Sequence, residues 1–280
     1  MGITGTSITV TTINVNGIRA AVKQRSEQNL GMLPWLEQTS ADVIALQEVR
    51  ADEDQVAKAL APALAAGWHL AFAPSVTKGR NGVAVLSRLE PDAVRVGFGS
   101  DTFDAGGRYL EVDLGRLTVA SLYLPSGDVG TEKQDEKDAF RAEFGEYLAG
   151  LGRKRRDVVV CGDWNIGHTE LDIKNWKGNV KNSGFLPEER EWMSQHIGTG
   201  RAFKDVVREL HPDAPGPYSW WSWRGKAFDN DSGWRIDLQI ANNSLAKRAV
   251  GARVERADAY ALRWSDHAPV TVEYSVAPPR

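Results

Sequence analysis

The chain predicts an α+β fold in which one β-sheet packs against another with helices on the outside. Two observations lead there: strand-like runs outnumber helical ones, and several of those runs are joined by spans too short for a crossover helix. A third sets the scale, because 280 residues that are 42% apolar can bury roughly three quarters of their unfolded surface. No Pro/Ser linker or low-complexity stretch interrupts the sequence, so residues 1–280 are read as one domain.

In order, SITVTTINV (7–15) is a β-branched run and reads as the first strand. Gln24 to Glu37 reads as a helix. DVIALQ (42–47), GVAVLS (82–87), RYLEVDL (108–114) and RLTVASLYL (116–124) follow as strands, and Glu132 to Gly150 as a helix. DVVVCGD (157–163) has the apolar run of a buried strand. Pro187 to Ile197 opens with Pro-Glu-Glu, which puts proline in a first turn and acids at the positive end of a helix dipole. RIDLQIA (235–241) and APVTVEY (268–274) close the series as strands. TINVNG (12–17) and CGDWNIG (161–167) echo one another, each leading a strand into an acid or amide, any residue, then Asn; this hints at two related halves meeting near Lys154. RKRR (153–156) is read as a solvated charge cluster at a strand's entrance rather than a binding patch.

A formal net charge of −3 and a pI near 6.0 exclude an overall basic field, so any grip on nucleic acid must be local. The single cysteine, Cys161, excludes an intramolecular disulfide and fits a reducing cytoplasm or nucleoid. No run of 18 apolar residues or signal peptide is present, so no membrane role is expected. The opening MGITGT fits the permissive N-myristoylation pattern and is taken as chance.

Chemistry concentrates at strand ends: Asn14 and Asn16, Glu48, Tyr123, Asp163 and Asn165, Asp237, then Asp266 and His267. Each has an ordinary competing account: Glu48 as a helix cap, Asp237 paired with Arg235, His267 as a satisfied core histidine. Asp237 argues hardest against these, since an acid inside a strand-like run needs a partner if buried, and a histidine is the obvious one. There is no Gly-rich phosphate loop, zinc-ligand spacing or nucleophile elbow. Glu48, Asp266 and Asn16 suit Mg²⁺, with Mn²⁺ as the substitute, and a phosphodiester fits that inventory. The hardest phosphate hydrolyses need on the order of 20 kcal/mol of barrier lowering, more than the roughly 10²- to 10⁴-fold of acid-base help supplies, so a metal's charge is expected to carry a large share.

The motifs INVNGIRA, LQEVR, KGRNGVAVLSR, LYLPSGD, CGDWNIGHTELDI, GFLPEEREWM, YSWWSWR, WRIDLQIA and WSDHAPV, in this order over nearly the full length, make the chain resemble exonuclease III and the class II apurinic/apyrimidinic endonucleases of the endonuclease/exonuclease/phosphatase superfamily. The resemblance implies a four-layer, pseudo-twofold, DNase I-like sandwich. It implies metal binding by Glu48 with Asn16 and Asp266 close by; some relatives carry aspartate at the position of Asn16. Asp163, oriented by Asn14 and accompanied by Asn165, would position or deprotonate the attacking water; His267, held by Asp237, would stabilise charge on a phosphate oxygen; Tyr123 would touch the scissile phosphate or assist the leaving oxygen. Trp220, Trp234 and Ile236 would form a pocket for an extruded abasic sugar, with Trp221 and Trp223 as core packing. Arg224 would enter the duplex. Lys174, Lys177 and Lys181 with Asn179, Asn182 and Ser183 would supply phosphate contacts, with Arg19 and Arg80 as weaker candidates. The implied activity is Mg²⁺-dependent cleavage of duplex DNA 5′ to abasic sites, with 3′→5′ exonuclease and 3′-end cleaning; a monomer is the default expectation, since the sequence carries no signal of oligomeric state. A less selective nuclease or phosphatase, or an inactive DNA-binding module, are the other readings.

Overall fold

The computed structural model describes residues 7–275; the MGITGT segment lies outside them. Twelve strands form two six-stranded sheets. The first holds β1 (Ser7–Asn14), β2 (Val43–Gln47), β3 (His69–Ala73), β4 (Val83–Ser87), β11 (Ala249–Val254) and β12 (Val270–Ser275), in the order β11-β12-β1-β2-β4-β3. The second holds β5 (Ala93–Val96), β6 (Tyr109–Leu114), β7 (Leu117–Tyr123), β8 (Asp157–Asp163), β9 (Phe203–Asp205) and β10 (Asp237–Asn242), in the order β5-β6-β7-β8-β10-β9.

Alternation along the strands makes the sandwich. Ile8 and Val10 of β1, Val43 and Ala45 of β2, Val119 of β7 and Val159 and Cys161 of β8 face one another between the sheets. The opposite faces carry the helices. α1 (Ile18–Ala21), α2 (Leu33–Gln38), α3 (Glu53–Ala59) and α4 (Ala61–Ala65) cover Ile13, Ile44 and Leu46 of the first sheet. The long α5 (Glu132–Leu151) lays Phe140, Phe144 and Leu148 over Ala120, Leu122 and Val160 of the second, and α7 (Pro187–His196) adds Trp192 and Met193. Between these last two helices comes α6 (Trp176–Asn179), and α8 (Val206–Leu210) and α9 (Asn243–Ala246) flank β9 and β10. Among the described residues, no helix is long and apolar enough to cross a membrane.

Each sheet contains one parallel pair, β1 with β2 and β7 with β8, while its other pairs are antiparallel. Read in opposite directions, the two orders place β1 on β8 with the parallel pairs β2/β1 and β7/β8 coinciding, so the echo between TINVNG and CGDWNIG is structural. Asn16 and Asn165 both adopt left-handed backbone, at φ 48° and 51°, and their amides bond back to Asn14 Oδ1 and Asp163 Oδ1, each at 2.9 Å. The halves do not divide near Lys154, however: β7 and β8 lie either side of it and pair directly, and β11 and β12 return to the first sheet.

The expected helix from Gln24 to Glu37 is also corrected. Only Leu33–Gln38 is helical there. Ser26 Oγ accepts from the amides of Gln28 and Asn29, and Gly31 sits at φ 82° where a Cβ would lie 2.7 Å from Ala21 O, so a local turn and a close backbone approach outcompete the helix.

Candidate active site

The space between the sheets turns from apolar to polar at one end. Thr12, Gln47 and Ser121 form a buried chain, Thr12 Oγ1 to Gln47 Oε1 at 3.1 Å and Gln47 Nε2 to Ser121 Oγ at 2.9 Å. Beyond it the last residues of β1, β7 and β8 and the first of β10 bring Asn14, Tyr123, Asp163 and Asp237 together. Gly162 makes this possible, since a Cβ there would lie 1.9 Å from Leu122 O; without it β8 could not approach β7 with Asp163 level with Tyr123.

Asn14 is the hub. Its Nδ2 donates to Glu48 Oε1 at 2.7 Å and to Asp163 Oδ2 at 2.9 Å, and its backbone oxygen accepts from Ser265 Oγ at 2.6 Å. Both oxygens of Asp163 are therefore fixed. Its Oδ2 lies 3.9 Å from His267 Nε2, and His267 Nδ1 lies 2.8 Å from Asp237 Oδ2. Asp237 Oδ2 also accepts from Ser219 Oγ at 2.6 Å, while its Oδ1 is buried without a partner among the described residues. Arg235, the competing partner for Asp237, instead pairs with Asp172 at 2.7 Å and Asp205 at 2.6 Å. Asn16 Nδ2 donates to Asp266 Oδ1 at 2.8 Å, and Trp220 Nε1 reaches Asp266 Oδ2 at 3.2 Å.

The cleft above these groups has a volume of about 330 Å³. Glu48, Tyr123, Asn165 and His267 line it with Trp220, Trp234 and Ile236, the two indoles edge to face at 6.1 Å. Asn16, Asp163 and Asp266 reach it as well. Asn165 Nδ2 donates to Leu124 O at 2.8 Å.

Of the proposed DNA contacts, Ser183 lines the cleft, whereas Lys174, Lys177, Lys181, Asn182, Arg19, Arg80 and Arg224 are exposed side chains outside it. Asn182 Nδ2 bonds Asn179 Oδ1 at 2.9 Å, and Asn179 bonds Asn175 O. Trp221 is buried against Phe228 as packing requires, but Trp223 is 40% exposed, edge to face with Tyr260 and under the Arg263 guanidinium, because its segment leaves the core after Trp221. Sequence reasoning missed three groups at the site: Arg50, which pairs with Glu48; Ser219, beneath Asp237; and Lys137, a cleft residue paired with buried Glu189 at 2.7 Å. Arg50 stood inside LQEVR and Ser219 inside YSWW, but a lone Arg or Ser carries no spacing signal.

Burial opposes a charged imidazole at His267, yet Asp237, Asp163 and Asp266 outweigh it and push the pKa up to about 10. Burial also pushes Asp163 up, to about 7; His267 opposes that shift, and Asp237 and Glu48 add to it. Tyr123 is raised well above the ordinary phenol range by burial and by Glu48 and Asp163, so it stays protonated. A histidine raised in this way adds stability that is complete below about pH 6.5 and is lost as pH rises toward 10. In Asp237→Asn the first supporting charge goes while burial remains, so His267 should titrate near or below about pH 6.5. NMR of the imidazole protons in EDTA measures this; a ring still charged at about pH 9 would contradict the assigned role of Asp237.

The donor set fits a hard divalent cation. Glu48, Asp163 and His267 each offer one atom within 4.8 Å of the others. With His267 charged and Nδ1 on Asp237, its Nε2 carries a proton, which leaves carboxylate oxygen as the metal-facing chemistry. Four carboxylates, Glu48, Asp163, Asp237 and Asp266, face the cations Arg50 and His267, and a divalent ion removes that imbalance.

Four similarities to known proteins bear on this geometry. The model of the endonuclease/exonuclease/phosphatase family matches residues 11–267. The exodeoxyribonuclease of Bacillus subtilis (strain 168) is 35% identical over 257 residues, 92% of this chain and 95% of that protein. DNA repair nuclease APEX1 of Danio rerio is 34% identical over 272 residues, 95% of this chain and 82% of its own length. The structure of an AP endonuclease from Archaeoglobus fulgidus superposes with a TM-score of 0.82 at 27% identity, covering 96% of this chain and all of that one.

Proposed function

The chain belongs to the endonuclease/exonuclease/phosphatase family, and from that premise we propose that it is a Mg²⁺-dependent DNA repair nuclease cutting duplex DNA 5′ to abasic sites and trimming or cleaning 3′ ends. The observation that carries this reading is the Asp237–His267–Asp163 series with Asn14 and Glu48 at the floor of a cleft walled by two indoles. We take residues 1–280 as one catalytic domain acting as a monomer in the cytoplasm, at the nucleoid.

Asp163, fixed at both oxygens and with a pKa near neutrality, is suited to accept the proton of an attacking water. Asn165 keeps its side-chain oxygen for that water, because its Nδ2 is bonded to Leu124 O. His267 donates from Nε2 to a non-bridging phosphate oxygen, stabilising charge where it develops. Tyr123, still protonated, can hydrogen-bond the leaving oxygen. Glu48 would hold the metal, with Asp163, Asn16 and Asp266 around it; when bound it supplies charge neutralisation on the phosphate. Trp220, Trp234 and Ile236 would stack on a base-free sugar, and extrusion costs least where pairing is already lost.

The test is a gel assay on a labelled duplex carrying one stable abasic analogue beside its undamaged twin, in Mg²⁺ or excess EDTA. Cleavage at the 5′ side of the lesion alone, abolished by EDTA, is expected; equal cutting of both duplexes would promote the less selective nuclease, and no cutting the phosphatase or binding readings. Lys177→Ala and Lys181→Ala should weaken duplex binding regardless of the lesion, each lowering the log–log salt slope by about 0.9 if its ammonium meets a phosphate. Fluorescence titration over a salt series checks this, and unchanged slopes would leave both lysines as solubilising charges.

A further inference from the structure

Arg50 has a place in this site that catalysis alone does not explain. Its backbone is pinned, at φ 50° with its amide bonded to Asn81 O at 2.8 Å. Its side chain, by contrast, is 41% exposed, and among the described residues its polar contacts are two: Glu48 Oε2, and Asn16 Oδ1 at 2.7 Å. The guanidinium thus sits on the outer oxygen of the one carboxylate assigned chiefly to metal binding, the inner oxygen being held by Asn14.

We infer that Arg50 is a displaceable counter-ion: it neutralises Glu48 while no divalent cation is bound, and a cation entering at Glu48 must drive it off that oxygen. This rests on the assignment of Glu48 to the metal. The physical case has three parts. A buried carboxylate among Asp163, Asp237 and Asp266 needs a positive partner, and His267 is engaged by Asp237 and faces Asp163. A guanidinium and a divalent ion cannot share one carboxylate oxygen without mutual repulsion, so each weakens the other's hold. A half-exposed arginine on a fixed backbone can leave without rearranging the fold, and in leaving it stays on the cleft wall, where it faces the substrate's negative backbone.

The measurement is Mn²⁺ binding to the DNA-free protein, followed by the loss of the free-ion EPR signal, for wild type, Arg50→Gln, Arg50→Lys and Glu48→Gln. Thermal unfolding is recorded with and without Mn²⁺ for each. Removing the competing charge should tighten Mn²⁺ binding by roughly 3- to 10-fold in Arg50→Gln, the range expected when a partly exposed ion pair no longer has to be broken. The same variant should lose stability in EDTA and regain more than wild type does on adding metal. Arg50→Lys keeps a cation and should stay within about twofold of wild type. Unchanged or weaker binding in Arg50→Gln would overturn the inference, as would equal tightening in Arg50→Gln and Arg50→Lys, which would trace the effect to packing. If Glu48→Gln binds Mn²⁺ like wild type, the metal assignment itself fails, an outcome distinct from failure of the Arg50 proposal.

Discussion

Asp163→Asn is expected to lower single-turnover cleavage by roughly 10³- to 10⁴-fold while duplex binding in EDTA stays within a few-fold of wild type. The substitution keeps size and shape but removes the only group at the site placed both to accept a proton and to face His267 across 3.9 Å. It also disturbs the hydrogen bonds. Asp163 accepts from Asn14 Nδ2 at one oxygen and from the Asn165 amide at the other, and an asparagine can satisfy only one of the two. The unmatched donor costs about 1–3 kcal/mol of stability, too little to abolish folding in a domain of this size. Rapid-quench cleavage and fluorescence anisotropy separate the two effects. A variant retaining a tenth or more of wild-type cleavage would remove Asp163 from the proton-accepting role.

Asp172→Asn should produce the largest loss of stability, about 3–5 kcal/mol at neutral pH. Asp172 is fully buried and receives Arg235 at 2.7 Å and Arg208 at 2.6 Å, and Arg235 is itself buried between Asp172 and Asp205. Neutralising the acid leaves one buried guanidinium short of charge. The damage reaches the site, because Arg235 lies between the cleft residues Trp234 and Ile236 and its amide bonds Asp172 O at 2.7 Å. The pH dependence follows in sign. Burial opposes the charge on Asp172, but Arg235 and Arg208 outweigh it and hold the pKa down to about 2, below the roughly 3.9 of an unfolded aspartate. Its contribution is therefore complete above about pH 4 and is lost as pH falls through about 2. Urea unfolding at several pH values should show wild type and variant far apart at pH 7 and converging toward pH 2; a constant gap would place the cost in packing instead.

The sequence was legible where one residue type has one use. β-branched runs located the eight inner strands, and the polar residues at their ends located Asn14, Asp163 and Asp237, because a strand's inner face must be apolar until it reaches solvent or a site. The four edge strands were not legible. β5 is largely exposed and β11 only half-buried, both without clear alternation, β9 spans three residues, and β3 lies at the rim of the first sheet; pairing rather than pattern makes them strands. Residues 24–37 misled because helix-favouring composition says nothing of the Ser26 turn or the Gly31 approach. Arg50 was invisible for a different reason, since its meaning depends on where Glu48 points, which only the fold decides.

The return of the chain to the first sheet has a consequence for synthesis. β1 is bordered by β2 and β12, and the second of these neighbours is made last among the described strands. At roughly 5–20 residues per second, a ribosome leaves that edge of β1 unpaired for some tens of seconds. His267 and Asp266 are translated just ahead of β12, so the nascent protein lacks the imidazole proposed to stabilise the phosphate until the sheet can close. On the proposed assignment of His267, assembly of the sandwich and completion of the site are then one late event, and polypeptides released before it are expected to be inactive.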